Sequence, residues 1–314
     1  MAQTGPLQDK LVVLFGGSGF IGIHVAQALL DRGARLRIAS RHPEDAWRLK
    51  PLANLGQIQF ARCDVLREDS VRACAAGADA VVNLVGSFDG NLKKLMGDAA
   101  GRIARAARDA GASALVQVSA IGADAESESG YAAAKARGEL LVQEAFPEAT
   151  IVRPSLVFGE EDGLIALFAG LIRSFPVLPV FAPEAKLQPV YVDDVAEAIA
   201  TAAADAAAHG GRTYELGGPE TLTVMELNRR IAEAQRRKRS FVPMPDFASA
   251  AFAMLPGTPM GSDQWLMLKQ GNRPSGEHPG FKPFGIEPKP LGLFLDRWME
   301  RYRKHGRFAG RVAA

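Results

Sequence analysis

Between Leu11 and Arg153, short apolar runs alternate with longer segments in which Ala, Arg and Leu recur at helical spacing. The runs Leu11–Phe15, Arg35–Ser40, Ile58–Arg62, Ala80–Leu84, Ala114–Ser119 and Thr150–Arg153 predict strands, and the stretches between them predict helices. A strand that returns through a helix must run parallel to its predecessor, because the crossover passes over a face of the sheet. The pattern therefore predicts an α/β fold with a doubly wound parallel sheet covered on both faces, and such sheets take their ligands at the carboxyl ends of the strands.

Beyond Pro154 the pattern loosens. Pro176, Pro179, Pro183 and Pro189 interrupt it before a strand-like run at Leu187–Val192 and a helix from about Asp193. Thr213–Leu216 predicts another strand, Gly217-Gly218-Pro219 a turn, and Thr223 to about Arg236 a helix. An apolar segment at Phe247–Leu255, a Gly- and Pro-rich stretch at Gly271–Pro290 and a last helix near Leu291–Lys304 complete the chain.

Composition narrows the function classes. With 314 residues, 47% of them hydrophobic, the chain can bury a full core, and its formal net charge of +2 argues against an extended nucleic-acid surface. Cys63 and Cys74 stand outside any C-x-x-C pattern and away from paired histidines, so they read as reduced core thiols, and no metal site is expected. No run approaches the ~18 apolar residues of a membrane span, and with only a few polar residues before Leu11 no targeting leader is expected. The expected location is cytoplasmic or peripherally membrane-bound.

The sharpest local signal is Gly16-Gly17-Ser18-Gly19-Phe20-Ile21-Gly22, which follows the first apolar run and opens the helical pattern Phe20 to Asp31. A strand, a glycine turn and a helix in that order form a cradle for nucleotide phosphates, because the helix N-terminus presents free N–H groups and a partial positive charge. Early glycine permits the sharp turn, the middle one lets a pyrophosphate approach, and Gly22 permits close packing of the helix. The spacing reads either as Gly17-x-Gly19-x-x-Gly22 or as Gly16-x-x-Gly19-x-x-Gly22.

A second signal is Tyr131-Ala132-Ala133-Ala134-Lys135, which puts a phenol and an amine on one face of a helix. Lowering a phenol from pKa ~10 to about 7 takes roughly 4 kcal/mol. A cation ~4 Å away supplies about that much at an effective dielectric of ~20. The spacing thus allows an acid/base tyrosine, with Ser119 at the end of the fifth strand as a hydroxyl partner for a substrate oxygen. A surface helix that happens to carry both residues, and a strand-end serine acting as a cap, are the structural alternatives.

These motifs, together with Arg153-Pro154-Ser155-Leu156-Val157-Phe158-Gly159 and Tyr191-Val192-Asp193-Asp194-Val195-Ala196, make the chain resemble an extended short-chain dehydrogenase/reductase. Phe15, Val118-Ser119-Ala120-Ile121-Gly122-Ala123-Asp124, Lys135-Ala136-Arg137-Gly138-Glu139 and Gln188-Pro189-Val190-Tyr191-Val192 draw it toward the atypical branch that includes the subunit-nine family of the alpha subcomplex of NADH:ubiquinone oxidoreductase, complex I. The resemblance implies an N-terminal tail over 1–10, a Rossmann-type NAD(P)-binding domain over 11–160 and a smaller C-terminal α/β subdomain over 161–314, with some strands returning to the main sheet. It also implies residue roles: Lys135 on the nicotinamide ribose, Tyr131 toward the reacting carbon, Pro154, Ser155 and Val157 beside the nicotinamide, Asp64 and Val65 at the adenine, and Asn83, Val85 and Gly86 lining the cofactor. Asp64 as a helix cap and Asn83 as a tie within the sheet are the structural alternatives. Only Ser119, followed by Ala120, stands where active members often carry two or three serines, so the implied role is an accessory protein related to complex I with a mainly structural nucleotide. The alternative is an active oxidoreductase or epimerase acting on a sugar nucleotide, a quinone-pathway compound or another carbonyl substrate.

The second strand ends in Ser40-Arg41 rather than in a carboxylate. A hydroxyl and a guanidinium welcome a 2′-phosphate that Asp or Glu would repel, so NADP(H) is expected over NAD(H); Arg41 as a solvated loop cation is the structural alternative. The basic run Arg236-Arg237-Lys238-Arg239 beside Phe241, Phe247, Phe252, Met254 and Leu255, with Arg297, Trp298, Arg301, Tyr302, Arg303 and Lys304 in the last helix, permits attachment to a partner or to the cytoplasmic face of an inner membrane. A solvated helix end and a core helix account for the same residues.

Overall fold

The computed structural model describes residues 5–160, 163–253 and 261–304. In the first 154 residues the strands are β1 (Leu11–Phe15), β2 (Arg35–Ser40), β3 (Ile58–Arg62), β4 (Ala80–Asn83), β5 (Ala114–Val118) and β6 (Thr150–Pro154). The helices between them include α1 (Phe20–Leu30), α2 (Glu68–Ala75), α3 (Ala99–Asp109) and α4 (Gly130–Ala145). All strand pairs are parallel, and the order across the sheet is β3, β2, β1, β4, β5, β6 and then the strand Thr213–Leu216. The order reverses between β1 and β4, which opens a crevice at their carboxyl ends where open α/β sheets bind ligands.

Burial explains why these runs became strands. Val12 to Phe15 and Val81 to Asn83 are almost wholly inaccessible, as central parallel strands must be when helices cover both faces. On one side Val13, Phe15, Val81 and Leu115 pack against Ile103, Ala104 and Ala107 of α3. Helix α4 is N-capped by Ser129, whose hydroxyl accepts from the Ala132 N–H at 3.3 Å, and it is tied to the preceding helical segment by the Arg137–Asp98 ion pair at 2.8 Å.

The chain divides into two compact units. The first comprises the described residues through Pro154 together with Val192–Leu216 and Pro274–Glu287; the second comprises Ser155–Tyr191, Gly217–Arg273 and the described residues from Pro288 onward. Within the first unit the helix Val192–Ala204 lies along α1, joined to it by the Arg32–Glu197 ion pair.

The second unit has its own core around Phe158, Ile172, Leu187, Leu227, Leu295 and Trp298. Its strands are short and pair in twos: Val157–Phe158 with Val190–Tyr191, Lys186–Leu187 with Leu222–Thr223, and Val177–Val180 with Ser240–Pro243. The expected run Leu187–Val192 is split, because Pro189 cannot donate to a ladder, and the chain turns helical at Val192. The helix expected from Thr223 is Val224–Ala234, with Thr223 and Glu226 forming a reciprocal capping box. The last helix is Gly292–Trp298, tightening into a 3-10 turn over Met299–Tyr302.

Several arginines of the basic segments end on backbone carbonyls. Arg237 donates to Tyr302 O, Arg239 to Ile172 O and Arg303 to Ala234 O. They close helix ends. In the apolar segment Phe252 stacks on Phe181 while Phe247 is 79% exposed; Met254 and Leu255 lie outside the described residues.

Candidate functional site

Gly16 takes φ +77, the left-handed region that leaves β1 and turns toward α1. A Cβ there would stand 3.1 Å from the Leu84 carbonyl carbon, so the turn lies directly against the end of β4. Gly22, one turn into α1, is closer still: a Cβ would meet the Gly17 backbone at 2.7 Å. Of the two spacings, the one starting at Gly16 contains the residue whose backbone only glycine adopts freely. Gly19 is the N-cap and offers no side chain, so the first-turn N–H groups of α1 at Phe20, Ile21 and Gly22 keep no side-chain partner.

Beside this turn the Ser18 and Ser40 hydroxyls are 2.7 Å apart. Arg41 is exposed and has no ion-pair partner among the described residues, and His42 N–H donates to Ser40 Oγ at 3.3 Å. At the end of β3, Asp64 forms an Asx turn, accepting from Leu66 N–H at 3.0 Å, while its own N–H donates to Ser70 Oγ of α2. Val65 is buried, and its carbonyl accepts from Arg102. At the end of β4, buried Asn83 donates to Gln117 Oε1 at 2.7 Å and accepts from the Val85 N–H at 3.1 Å, shaping the Val85-Gly86 turn.

Lys135 is 4% exposed and donates to the carbonyls of Val85 and Val118 at 3.1 and 3.0 Å. Burial pulls its ammonium down to about 8, against the opposing pull of Glu139 one turn along α4. Tyr131 lies under Phe88, the rings stacked at 4.5 Å and 16° apart. Burial pushes its phenol up to about 12. Lys135 lies on the same helix face, 5.8 Å from the ring centroid, but its ammonium is committed to the two carbonyls. Ser119, next to Val118, is 3% exposed, and its Oγ has no hydrogen-bond partner among the described residues.

Helix α4 is also held from below. Glu139 receives Arg153 in a two-pronged pair at 2.9 and 2.6 Å; Arg153 also faces Glu215 at 3.6 Å, and Glu215 accepts from both Ser275 N–H and Ser275 Oγ. Glu139 and Glu215 raise the already high pKa of Arg153, so the guanidinium stays charged in place.

The NAD dependent epimerase/dehydratase family matches residues 12–217, which spans β1 through the last strand of the main sheet. The chain belongs to that family. It is 30% identical over 311 residues to the mitochondrial NADH dehydrogenase [ubiquinone] 1 alpha subcomplex subunit 9 of Mus musculus, covering 94% of this chain and 81% of the mouse protein. The Arabidopsis thaliana protein of the same name is 36% identical over 242 residues, covering 75% of this chain but only 60% of its own length. Among solved structures, an NADPH-dependent quinone oxidoreductase from Escherichia coli, determined with NADPH, superposes with a TM-score of 0.74 at 19% identity, covering 91% of this chain and 99% of that one. At that identity the likeness speaks for the fold.

Within this epimerase/dehydratase fold the first unit brings together Gly16 to Gly22, Ser40, Asn83 to Gly86, Ser119, Tyr131 and Lys135. Pro154 ends β6; Ser155 and Val157 belong to the second unit, where Ser155 Oγ donates to Gln188 O and Val157 pairs with Val190. Reading the sequence missed Phe88, Gln117 and the Glu139–Arg153–Glu215 chain. Glu139 carried a signal, since it stands four residues after Lys135 on one helix face. Phe88 carried none, because loop residues have no periodicity to read.

Proposed function

We propose that this protein binds NADP(H) at the glycine turn of its first unit and acts as an accessory or assembly-type protein of a respiratory complex I, the nucleotide serving mainly to stabilise the fold. The observation that carries the reading is the Tyr131–Lys135 pair: the ring is stacked under Phe88, and the lysine ammonium holds two backbone carbonyls instead of the phenol oxygen, so the phenol lacks the cation that would tune it for proton transfer. Relatives named as complex I subunits supply the partner. Attachment would be peripheral, at the cytoplasmic face of an inner membrane through that partner; among the described residues no helix is long and apolar enough to cross a membrane.

The residues present fit a dinucleotide. The uncapped start of α1 offers N–H groups for a pyrophosphate, and the buried, unpartnered Ser119 Oγ needs a ligand atom to complete it. Ser40 and the unpaired Arg41 favour a 2′-phosphate, and no carboxylate stands at the end of β2 to repel it. Ligand at 100 times its dissociation constant adds ~2.7 kcal/mol of stability. Arg41→Asp is expected to weaken NADPH tenfold or more, about 1.4 kcal/mol, with little change for NADH. Equal losses for both nucleotides would contradict the assignment.

The orphaned Ser119 hydroxyl also favours a second reading, in which the site is an active oxidoreductase. A bound reduced nicotinamide would supply the hydride; Ser119 would orient a carbonyl oxygen, and Tyr131, protonated near neutrality, would give its proton to that oxygen as it becomes an alkoxide. Tyr131→Phe separates the two. The accessory reading expects nucleotide content and co-purification with complex I to persist in the variant, whereas NADPH-dependent reduction of a carbonyl substrate that the variant abolishes would establish the enzyme.

A further inference from the structure

Cys63 directly follows the edge strand β3, and Cys74 lies one turn after Ser70 on the same face of α2. Two reciprocal contacts bracket the pair. Cys63 Sγ points at the Ser70 carbonyl at 3.8 Å, and Cys74 Sγ points at the carbonyl of Arg62, the residue bonded to Cys63, at 4.0 Å. Each sulfur thus faces the backbone that carries the other. Both thiols are free, and they share one apolar cluster with Val65 and Val71.

We propose that Cys63 and Cys74 form a dithiol that a hydroperoxide oxidises reversibly to an intramolecular disulfide. The Cys63 thiol, and with it the Arg37 guanidinium whose Nη1 donates to the Cys74 carbonyl at 2.7 Å, holds Cys74 below the usual thiol range against the opposing effect of burial. The same contact, with burial, pushes Cys63 up. With the Arg37 guanidinium beside Cys74 and the Asp64 carboxylate next to Cys63, Cys74 is the attacking sulfur and Cys63 the resolving one. The Cys74 thiolate displaces one oxygen of hydrogen peroxide: the O–O bond breaks, the leaving hydroxide takes a proton to become water, and Cys74 becomes a sulfenic acid. Cys63 then attacks the Cys74 sulfur; the S–S bond forms, the S–O bond breaks, and the hydroxyl leaves as a second water with the proton from Cys63. Two thiols lose two electrons and one peroxide gains them. A dithiol reductant reverses the change by exchange.

Access comes through α2. It is only eight residues long, packs on α3 and exposes Glu68, Asp69, Arg72 and Ala73, the kind of short element that opens without global unfolding. The disulfide draws the sulfurs to about 2.05 Å and ties the helix to the strand end. The site stands whether or not a nucleotide binds in the neighbouring crevice.

The test is to treat the whole native protein with hydrogen peroxide, quench, denature, alkylate with N-ethylmaleimide and map the peptides by mass. The expected result is simultaneous loss of alkylation at both cysteines, a cross-linked peptide pair lighter by two hydrogens, and full recovery after dithiothreitol. In Cys63→Ser, Cys74 is expected to stop at the sulfenic acid and to be trapped by dimedone, whereas in Cys74→Ser the remaining Cys63 stays alkylatable. Both cysteines remaining alkylatable in the wild type, a disulfide between two chains, or irreversible sulfinic acid without the cross-link would each overturn the proposal.

Discussion

The glycine turn and the start of α4 lie at the same end of one sheet, yet they carry their information differently. At the turn the backbone itself is the device: φ +77 at Gly16 and the 2.7 Å that a Cβ on Gly22 would leave to Gly17 admit almost no other residue, so the spacing of letters determines the shape. At α4 the spacing of Tyr131 and Lys135 sets only which face they share. Their chemistry is set by groups outside the motif: Phe88 over the ring, the Val85 and Val118 carbonyls on the ammonium, and Glu139, one turn along the helix, bound to Arg153 below. Spacing alone allowed a tuned phenol, and the surroundings add burial, which pushes it up.

The largest break in this comparison comes from Arg153→Met. It leaves the Glu139 and Glu215 carboxylates, 7% and 4% exposed, buried without their cation. Losing one partner of such a set costs about 3–5 kcal/mol, measured by urea unfolding, and a cost near zero would show that α4 does not depend on it. Lys135→Met is next, and its signature is pH dependence. The folded protein lowers Lys135 from 10.5 to about 8, so the charged amine opposes folding fully below pH about 8, and that penalty is relieved as pH rises toward 10.5. Wild type minus variant stability should therefore increase across that window, by on the order of 3 kcal/mol. A flat difference would mean that the amine is not desolvated.

Gly22→Val probes the turn. Overpacking against the Gly17 backbone is expected to cost about 1–3 kcal/mol and to lower nucleotide affinity by an order of magnitude or more. Tyr131→Phe is the smallest change: stability should stay within about 1 kcal/mol, since the hydroxyl has no partner among the described residues to lose. Nucleotide affinity should be nearly unchanged. A large loss would mean that the phenol, like the turn, is part of the binding device.

The same contrast governs what could be read along the chain. Leu11–Phe15, Arg35–Ser40, Ile58–Arg62 and Thr213–Leu216 are strands over the stretches expected: the central one is a buried apolar run, and the edge strand Ile58–Arg62, which has no buried residue, was legible from its place between turns and helices. Val177–Val180 and Ser240–Pro243 were not legible. Each carries a proline, each pairs with a partner some sixty residues away, and neither alternates cleanly enough to stand out from the loops around it. Within the site the glycines, Ser119, Tyr131 and Lys135 could be found as letters. The absent partner of Ser119 Oγ and the double claim on Lys135 could not, since both follow from packing that brings β4, β5 and α4 together.

The central claim is that the nucleotide is held as part of the fold, and its exchange rate tests that most directly. Purified protein would be loaded with labelled NADPH and chased with excess unlabelled nucleotide. The account predicts that the label remains bound for hours, with loss of the nucleotide lowering thermal stability. Complete exchange within seconds would contradict it and move the active oxidoreductase into first place.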